Sequence, residues 1–251
     1  MNYKTITFEK NGPIGILKLN RPEKKHALNR PMLEDLYAFF TERLMDYDTR
    51  VIIMESTGNI FCAGADIKEP AIDVAKDSHP GSIYNTQRLY SEIIILMRRV
   101  PQPIIAAIQG PAIGAGFSLT MACDVRIATE KAMFVAAYIN IGLGGADMGS
   151  SYLLPRLVGA SRAYRYLLTG ENISAEAAEK IGLVSEIVPV EKLSETAFNM
   201  ANIMCQKNPL GLRMTKEAIN QNLNAGSLEE AILLEDRNQT LLMLSTMHKP
   251  K

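Results

Sequence analysis

A chain of 251 residues that is 47% hydrophobic can bury one large core, or one core with a small appendage. Its 27 basic residues balance 27 acidic ones, so no global field favours nucleic acid or an anionic membrane surface, and an anionic ligand needs a local patch. Its longest apolar runs, such as IIAAI at 104–108, fall far short of the roughly 20 residues of a membrane span, and the N-terminus lacks a signal-peptide pattern, which predicts a soluble, cytoplasmic protein.

In chain order, TITFE (5–9) and IGILKLN (14–20) alternate about Asn11-Gly12, a hairpin signal. RPMLEDLYAFFTERLMDY follows, with Leu33, Leu36, Tyr37, Phe40 and Leu44 at helical spacing and Pro31 near the first turn. VIIM (51–54) reads as a short buried strand. A helix over about 82–99, a strand at 104–108, a glycine-rich turn, a short helix from Gly114 to Ala122 and a strand at 125–128 continue the alternation, which predicts an α/β core with a partly parallel sheet. After Asp147 the pattern turns helical, with Ser174 as an N-cap and long helices near 191–207, 209–224 and 227–245. No repeat of matching sequence and no low-complexity linker interrupts it. Cys62, Cys123 and Cys205 are scattered without CxxC spacing and read as small core residues rather than disulfide or zinc ligands.

Three stretches could carry chemistry. In GNIFCAGADIKE (58–69) Gly64 permits a sharp turn after an apolar strand end; this frees main-chain N–H groups near Ala65 for a ligand, or is a plain surface turn. In AAIQGPAIGAGFSLTMACD (106–124) a buried strand runs into small residues and a helix start, which makes either an oxyanion or phosphate site or a close helix–sheet contact. It matches neither the dinucleotide fingerprint nor a P-loop. In IGLGGADMGSSYLLPRLVG (141–159) Asp147 stands near a helix start, either as an N-cap or as a functional carboxylate.

RPEKKHALN (21–29), FCAGADIKE (61–69), AAIQGPAIGAGFSLTMACDVRIA (106–128) and LTGENISAEAAEKIGLVSEIV (168–188) together resemble, in order and spacing, the signatures of the enoyl-CoA hydratase/isomerase family, the crotonase superfamily. The resemblance implies a crotonase-like spiral of ββα units over residues 1–190 and a C-terminal helical trimerisation region over 191–251, assembled as a homotrimer or homohexamer. It implies an acyl-CoA thioester substrate whose enolate is held by the backbone N–H groups of Ala65 and Ala115. It further implies CoA contacts from Lys24, Lys25, Ala63, Ala65, Asp66 and Ile67; many relatives close a longer basic–aromatic tail over the CoA adenine, and here either CoA binding is looser or His248, Lys249 and Lys251 do part of that work. Coenzyme A belongs to the substrate, and nothing here calls for a metal or a separate cofactor.

The chain departs from the family where hydratases carry two glutamates: Ser118 and Tyr138 occupy those positions. Neither is a base for water near neutral pH. Asp147 matches the acid, base or nucleophile of relatives such as dienoyl-CoA isomerases, epoxide-type isomerases and dehalogenases. The dehalogenase's paired histidine corresponds to Ile95 and its tryptophan to Tyr138, which argues against dehalogenation. The catalytic candidates are therefore Asp147, Ser118 and Tyr138, and double-bond isomerisation is expected ahead of hydration. Two other classes stand beside it. GFSLT with Ser118, Asp147 and His248 follows the chain order of an α/β-hydrolase, although Thr120 replaces the elbow's second glycine. A non-catalytic acyl-CoA-binding or scaffold protein fits the missing glutamates. His26 is expected in a polar turn and His79 in a solvated loop.

Overall fold

The computed structural model describes residues 3–247. Strands β1 (Ile6–Asn11) and β2 (Ile14–Leu19) form the expected antiparallel hairpin. Helix α1 (Arg30–Arg43) follows, capped by Asn29, whose side chain accepts the Met32 N–H at 3.2 Å, with Pro31 in the first turn. It buries Met32, Leu33, Leu36, Phe39 and Phe40, whereas Tyr37 is 41% exposed. The departure from the expected stripe has a tertiary cause. The rings of Tyr3 and Phe8 pack edge-on against Phe39 at 6.1 and 5.0 Å, which shifts the buried arc towards Met32 and Phe39 and away from Tyr37.

The alternation then runs through β3 (Val51–Ser56), α2 (Pro80–Arg99), β4 (Ile104–Ile108), β5 (Ala112–Ile113), α3 (Ala115–Ala122), β6 (Val125–Ala128) and β7 (Met133–Val135). Next come α4 (Ser150–Val158), α5 (Ala160–Thr169), β8 (Ile173–Ser174), α6 (Ala175–Lys180) and β9 (Glu186–Ile187). Ser174 caps α6 as expected, accepting the Ala177 N–H at 3.2 Å. The last helices are α7 (Leu193–Cys205), α8 (Pro209–Asn222) and α9 (Leu228–Met247).

The strands make two rows. The longer is a six-stranded sheet of order β1-β2-β3-β4-β6-β9, parallel beyond the hairpin. The shorter is β5-β7-β8, extended by isolated parallel bridges at Leu28–Ala65 and Cys62–Ala112. Successive turns of chain add to both rows, which is the spiral that the resemblance implied. Strands β3 and β4 are covered on both faces, as central parallel strands are. Ile52, Met54, Ile104, Ala106 and Ile108 face the main core, while Val51, Ile53, Ile105 and Ala107 face Leu193, Ala197 and Ala201 of α7. Within the expected C-terminal helical region, α7 thus lies on the sheet. By contrast α8 buries Lys216 and Ala218, and α9 buries none of its described residues. Among the described residues no helix is long and apolar enough to cross a membrane.

Candidate active site

Two loops of the second row are zipped together. Leu28 N–H donates to Gly64 O at 2.7 Å, Asp66 N–H to Leu28 O at 2.9 Å and Ala63 N–H to Lys25 O at 3.0 Å. In a parallel bridge the residue between two bonded peptide groups turns its own N–H away from the partner. Ala65 is that residue, it is exposed, and its N–H meets no acceptor among the described residues. On the adjacent segment, Ile113 N–H donates to Cys62 O at 2.9 Å and Gly114 N–H to Val135 O at 2.8 Å. Gly114, at φ +52° and ψ −119°, then turns the chain into α3, whose first residue is Ala115. The N–H of a first helical residue has no intrahelical acceptor, and that of Ala115 finds none elsewhere in the described chain. A Cβ placed on Gly64 would lie 2.7 Å from Ile113 O and 3.5 Å from Ala115 N. Only glycine lets the two segments run this close, and two free N–H groups result.

Beside them, Ser118 and Tyr138 are brought together from 20 residues apart, both buried. Tyr138 Oη lies 2.8 Å from Gly114 O and is hydrogen-bonded to Ser118 Oγ. A carbonyl only accepts, so the single phenolic proton goes to Gly114 and Ser118 donates to Tyr138. Burial pushes the Tyr138 phenol well above its usual range; the Ser118 bond opposes this, and the charge of Asp147 adds to it.

Asp147 is half-buried ahead of α4, its main-chain oxygen 3.4 Å from Ser118 Oγ. It is not the helix N-cap: Gly149 is, without a side-chain cap bond, because Met148 at φ +45° and Gly149 at φ +78° turn the chain between Asp147 and the helix. Instead, Asp147 Oδ1 accepts from Gln87 Nε2 at 2.5 Å and from the Met148 N–H at 2.7 Å. Oδ2 accepts nothing among the described residues. Gln87 and Tyr90 reach the site from one face of α2, three residues apart. Tyr90 Oη donates to Leu28 O at 3.2 Å, and its phenol is pushed up to about 12 by burial and then by the charges of Asp147 and Asp66. The sequence carried no local signal for either residue.

Of the expected CoA contacts, Lys24 pairs with Glu69 at 2.8 Å, whereas Lys25 is exposed with no ion pair among the described residues. Ala63 is half-buried and Ile67 is 85% exposed. The Asp66 carboxylate is buried within the loop, accepting Arg21 Nη1 at 3.0 Å and the N–H groups of Lys68 and Glu69 at 3.0 and 2.9 Å. Burial raises its pKa, and these bonds with the Arg21 charge outweigh that and lower it. Arg21, which also donates to Ala27 O at 2.5 Å and to Glu69 at 2.8 Å, thus pins both loops. Its role was not visible in the sequence.

His26 sits in the expected turn, at φ +54°, but its ring is buried there. Its Nδ1 accepts the Arg21 N–H at 3.2 Å, so Nε2 carries the proton and donates to Thr57 O at 2.8 Å; burial lowers its pKa. His79 is exposed and caps α2 by accepting the Gly81 N–H at 3.1 Å. His248, Lys249 and Lys251 lie outside the described residues, and among the described residues no histidine is hydrogen-bonded to Ser118. A cavity of about 390 Å³ lined by Met121, Leu153, Lys216, Ile219 and others shares no residue with this site.

The family model described as enoyl-CoA hydratase/isomerase matches residues 9–249. A probable enoyl-CoA hydratase of Mycobacterium leprae is 38% identical over 235 residues, 93% of this chain and 80% of the relative. The crystal structure of a probable enoyl-CoA hydratase/isomerase from Mycobacterium abscessus superposes at a TM-score of 0.89 and 36% identity, covering 96% of this chain and 91% of that one. A monofunctional enoyl-CoA isomerase from M. smegmatis superposes at 0.75 and 33% identity, covering 91% and 98%.

Proposed function

Because this chain belongs to the enoyl-CoA hydratase/isomerase family, we propose that it binds an enoyl-CoA, holds the thioester enolate on the N–H groups of Ala65 and Ala115, and shifts the double bond with Asp147 as the proton carrier. The Asp147 carboxylate takes a proton from C2 of a 3-enoyl-CoA. Negative charge gathers on the thioester oxygen as the dienolate forms, and two preorganised donors meet it there. Asp147 returns the proton at C4, leaving the 2-enoyl thioester. Lys25, with Lys24, supplies positive charge for the CoA phosphates.

The observation that carries this reading is the distribution of carboxylates. Asp147 presents an unpartnered Oδ2, while Ser118 and Tyr138, at the positions of the hydratase glutamates, are bonded to each other and to Gly114. A buried phenol whose pKa is raised is even less ionised near neutral pH than an ordinary one, so it is not available as a base for water. The hydratase names of relatives favour hydration as the second reading. Product mass separates the two. Isomerisation of 3-enoyl-CoA gives an isobaric product, and a robust gain of one water with linear 2-enoyl-CoA would establish hydration instead. CoA binding with no turnover over a broad thioester panel would leave a non-catalytic binding protein.

We also propose a homotrimer or homohexamer. Leu228, Ile232, Leu233, Leu241 and Met243 of α9, with Leu210, Ile219 and Leu223 around α8, are exposed. An apolar surface of this kind favours burial against further copies of the chain. Light scattering at micromolar concentration tests it, and a monomer would refute it.

A further inference from the structure

The Tyr138 hydroxyl donates to the carbonyl of Gly114, and the N–H at the other end of that same peptide group belongs to Ala115. We infer that Tyr138 is a positioning residue that polarises the Gly114–Ala115 peptide, strengthening the Ala115 N–H as an oxyanion donor, with Ser118 reinforcing it from behind. The inference rests on the reading of Ala115 N–H as an enolate donor, and it assigns no proton transfer to Tyr138.

The geometry gives a continuous chain of donors. Ser118 Oγ–H donates to Tyr138 Oη, and Tyr138 Oη–H donates to Gly114 O at 2.8 Å. Gly114 O also accepts the Ser118 N–H at 3.0 Å, so both of its lone pairs are engaged. Each bond withdraws electron density from the amide, and its N–H becomes a better donor. Chains of hydrogen bonds strengthen one another in this way where water is excluded, and Ser118 and Tyr138 are 0% and 6% exposed. The other donor peptide has a simpler arrangement: Gly64 O accepts the main-chain N–H of Leu28 at 2.7 Å and, among the described residues, no side-chain donor. The two donors of the site are therefore tuned differently, and the extra side-chain bond falls on the α3 side.

The pairing also accounts for a phenol at this position. A tyrosine whose proton is committed to a carbonyl and whose oxygen accepts from serine has no proton left for a substrate. Cooperative strengthening of roughly 10–30% per bond, set against the 10²–10³-fold value of one oxyanion donor, predicts roughly a two- to eight-fold fall in kcat for Tyr138→Phe. A direct general acid or base would cost about 10²–10⁴-fold.

The test uses a saturated acyl-CoA labelled with ¹³C at the thioester carbonyl and isotope-edited infrared difference spectroscopy, which reads carbonyl polarisation without turnover. Binding to the wild type should lower the carbonyl stretching frequency relative to buffer. Tyr138→Phe should return part of that shift, with CoA affinity unchanged and kcat down two- to eight-fold. Ser118→Ala should return a smaller part, and it carries the test if the phenylalanine variant does not fold. A wild-type shift retained in full by both variants overturns the inference while leaving the oxyanion site in place. No shift in the wild type overturns the oxyanion reading, and the inference with it. A loss beyond 100-fold in Tyr138→Phe overturns the positioning role in favour of direct proton transfer.

Discussion

Asp147→Asn keeps an oxygen where Oδ1 accepts from Gln87 and Met148 at 2.5 and 2.7 Å, and it puts an amide nitrogen where Oδ2 stands. The helix cap is untouched, since Gly149 holds that position. The structural cost is that two charge-assisted bonds become neutral ones at a half-exposed site. That amounts to about 1 kcal/mol, or roughly 2–4 °C in Tm for a chain of this length. The catalytic cost is of another size. Loss of a general acid–base group lowers kcat about 10²–10⁴-fold, or roughly 2.7–5.5 kcal/mol of barrier. The donors at Ala65 and Ala115 and the CoA contacts remain, so KM and CoA affinity should change little. The assay is the rate of 3-enoyl-CoA isomerisation beside a thermal melt and CoA titration of the same preparation. Turnover within a factor of a few of the parent's would remove Asp147 from the chemistry. A fall in Tm large enough to account for the lost activity would make it a structural residue.

Other substitutions probe the frame. Gly114→Ala forces φ +52°, ψ −119° on a residue with a Cβ, strain of about 1–3 kcal/mol, and displaces the Ala115 donor, so Tm and kcat should fall together; an unchanged kcat would disconnect this turn from the site. His26 has a folded pKa below its unfolded value near 6.5. Its contribution is complete above that value and declines as the pH falls from there through the lower folded pKa. His26→Asn, which suits φ +54°, should flatten the acid side of a Tm-against-pH curve, and an unchanged slope would contradict the buried neutral imidazole. Lys25→Ala should weaken CoA binding and its salt dependence more than Lys24→Ala does, because Lys24 is already paired with Glu69; calorimetric titration at two ionic strengths ranks them, and the reverse order would reject Lys25 as the phosphate contact.

Much of the scaffold was legible because it is local. Asn11-Gly12 announced the hairpin, the unbroken apolar run of β4 announced a strand covered on both faces, and Gly64 marked a turn that does take positive φ. The site was less so, because its decisive contacts join distant segments. Asp147 beside a helical pattern reads as a cap, yet a left-handed pair intervenes and Gln87, 60 residues away, takes its oxygen. His26 reads as a turn residue and is one, but its burial depends on Thr57 O, 31 residues away, which supplies a partner for its ring. Tyr37 and Phe39 are both plausible on a helical wheel, and only the rings of the N-terminal hairpin decide between them. Arg21, which ties the two loops to Asp66 and Glu69, stands in a motif whose spacing says nothing of a salt bridge 45 and 48 residues along the chain.

The most direct measurement is deuterium incorporation from D₂O during incubation with 3-enoyl-CoA, read by mass spectrometry in recovered substrate and product and compared between the parent and Asp147→Asn. Because Asp147 is half-exposed, the proton it carries exchanges with solvent, so the account predicts deuterium at C2 of the recovered substrate and at C4 of the 2-enoyl product with the parent protein, and incorporation reduced at least 100-fold with the variant. Equal incorporation with both proteins, or a deuterated water adduct as the main product of the parent, would contradict the account.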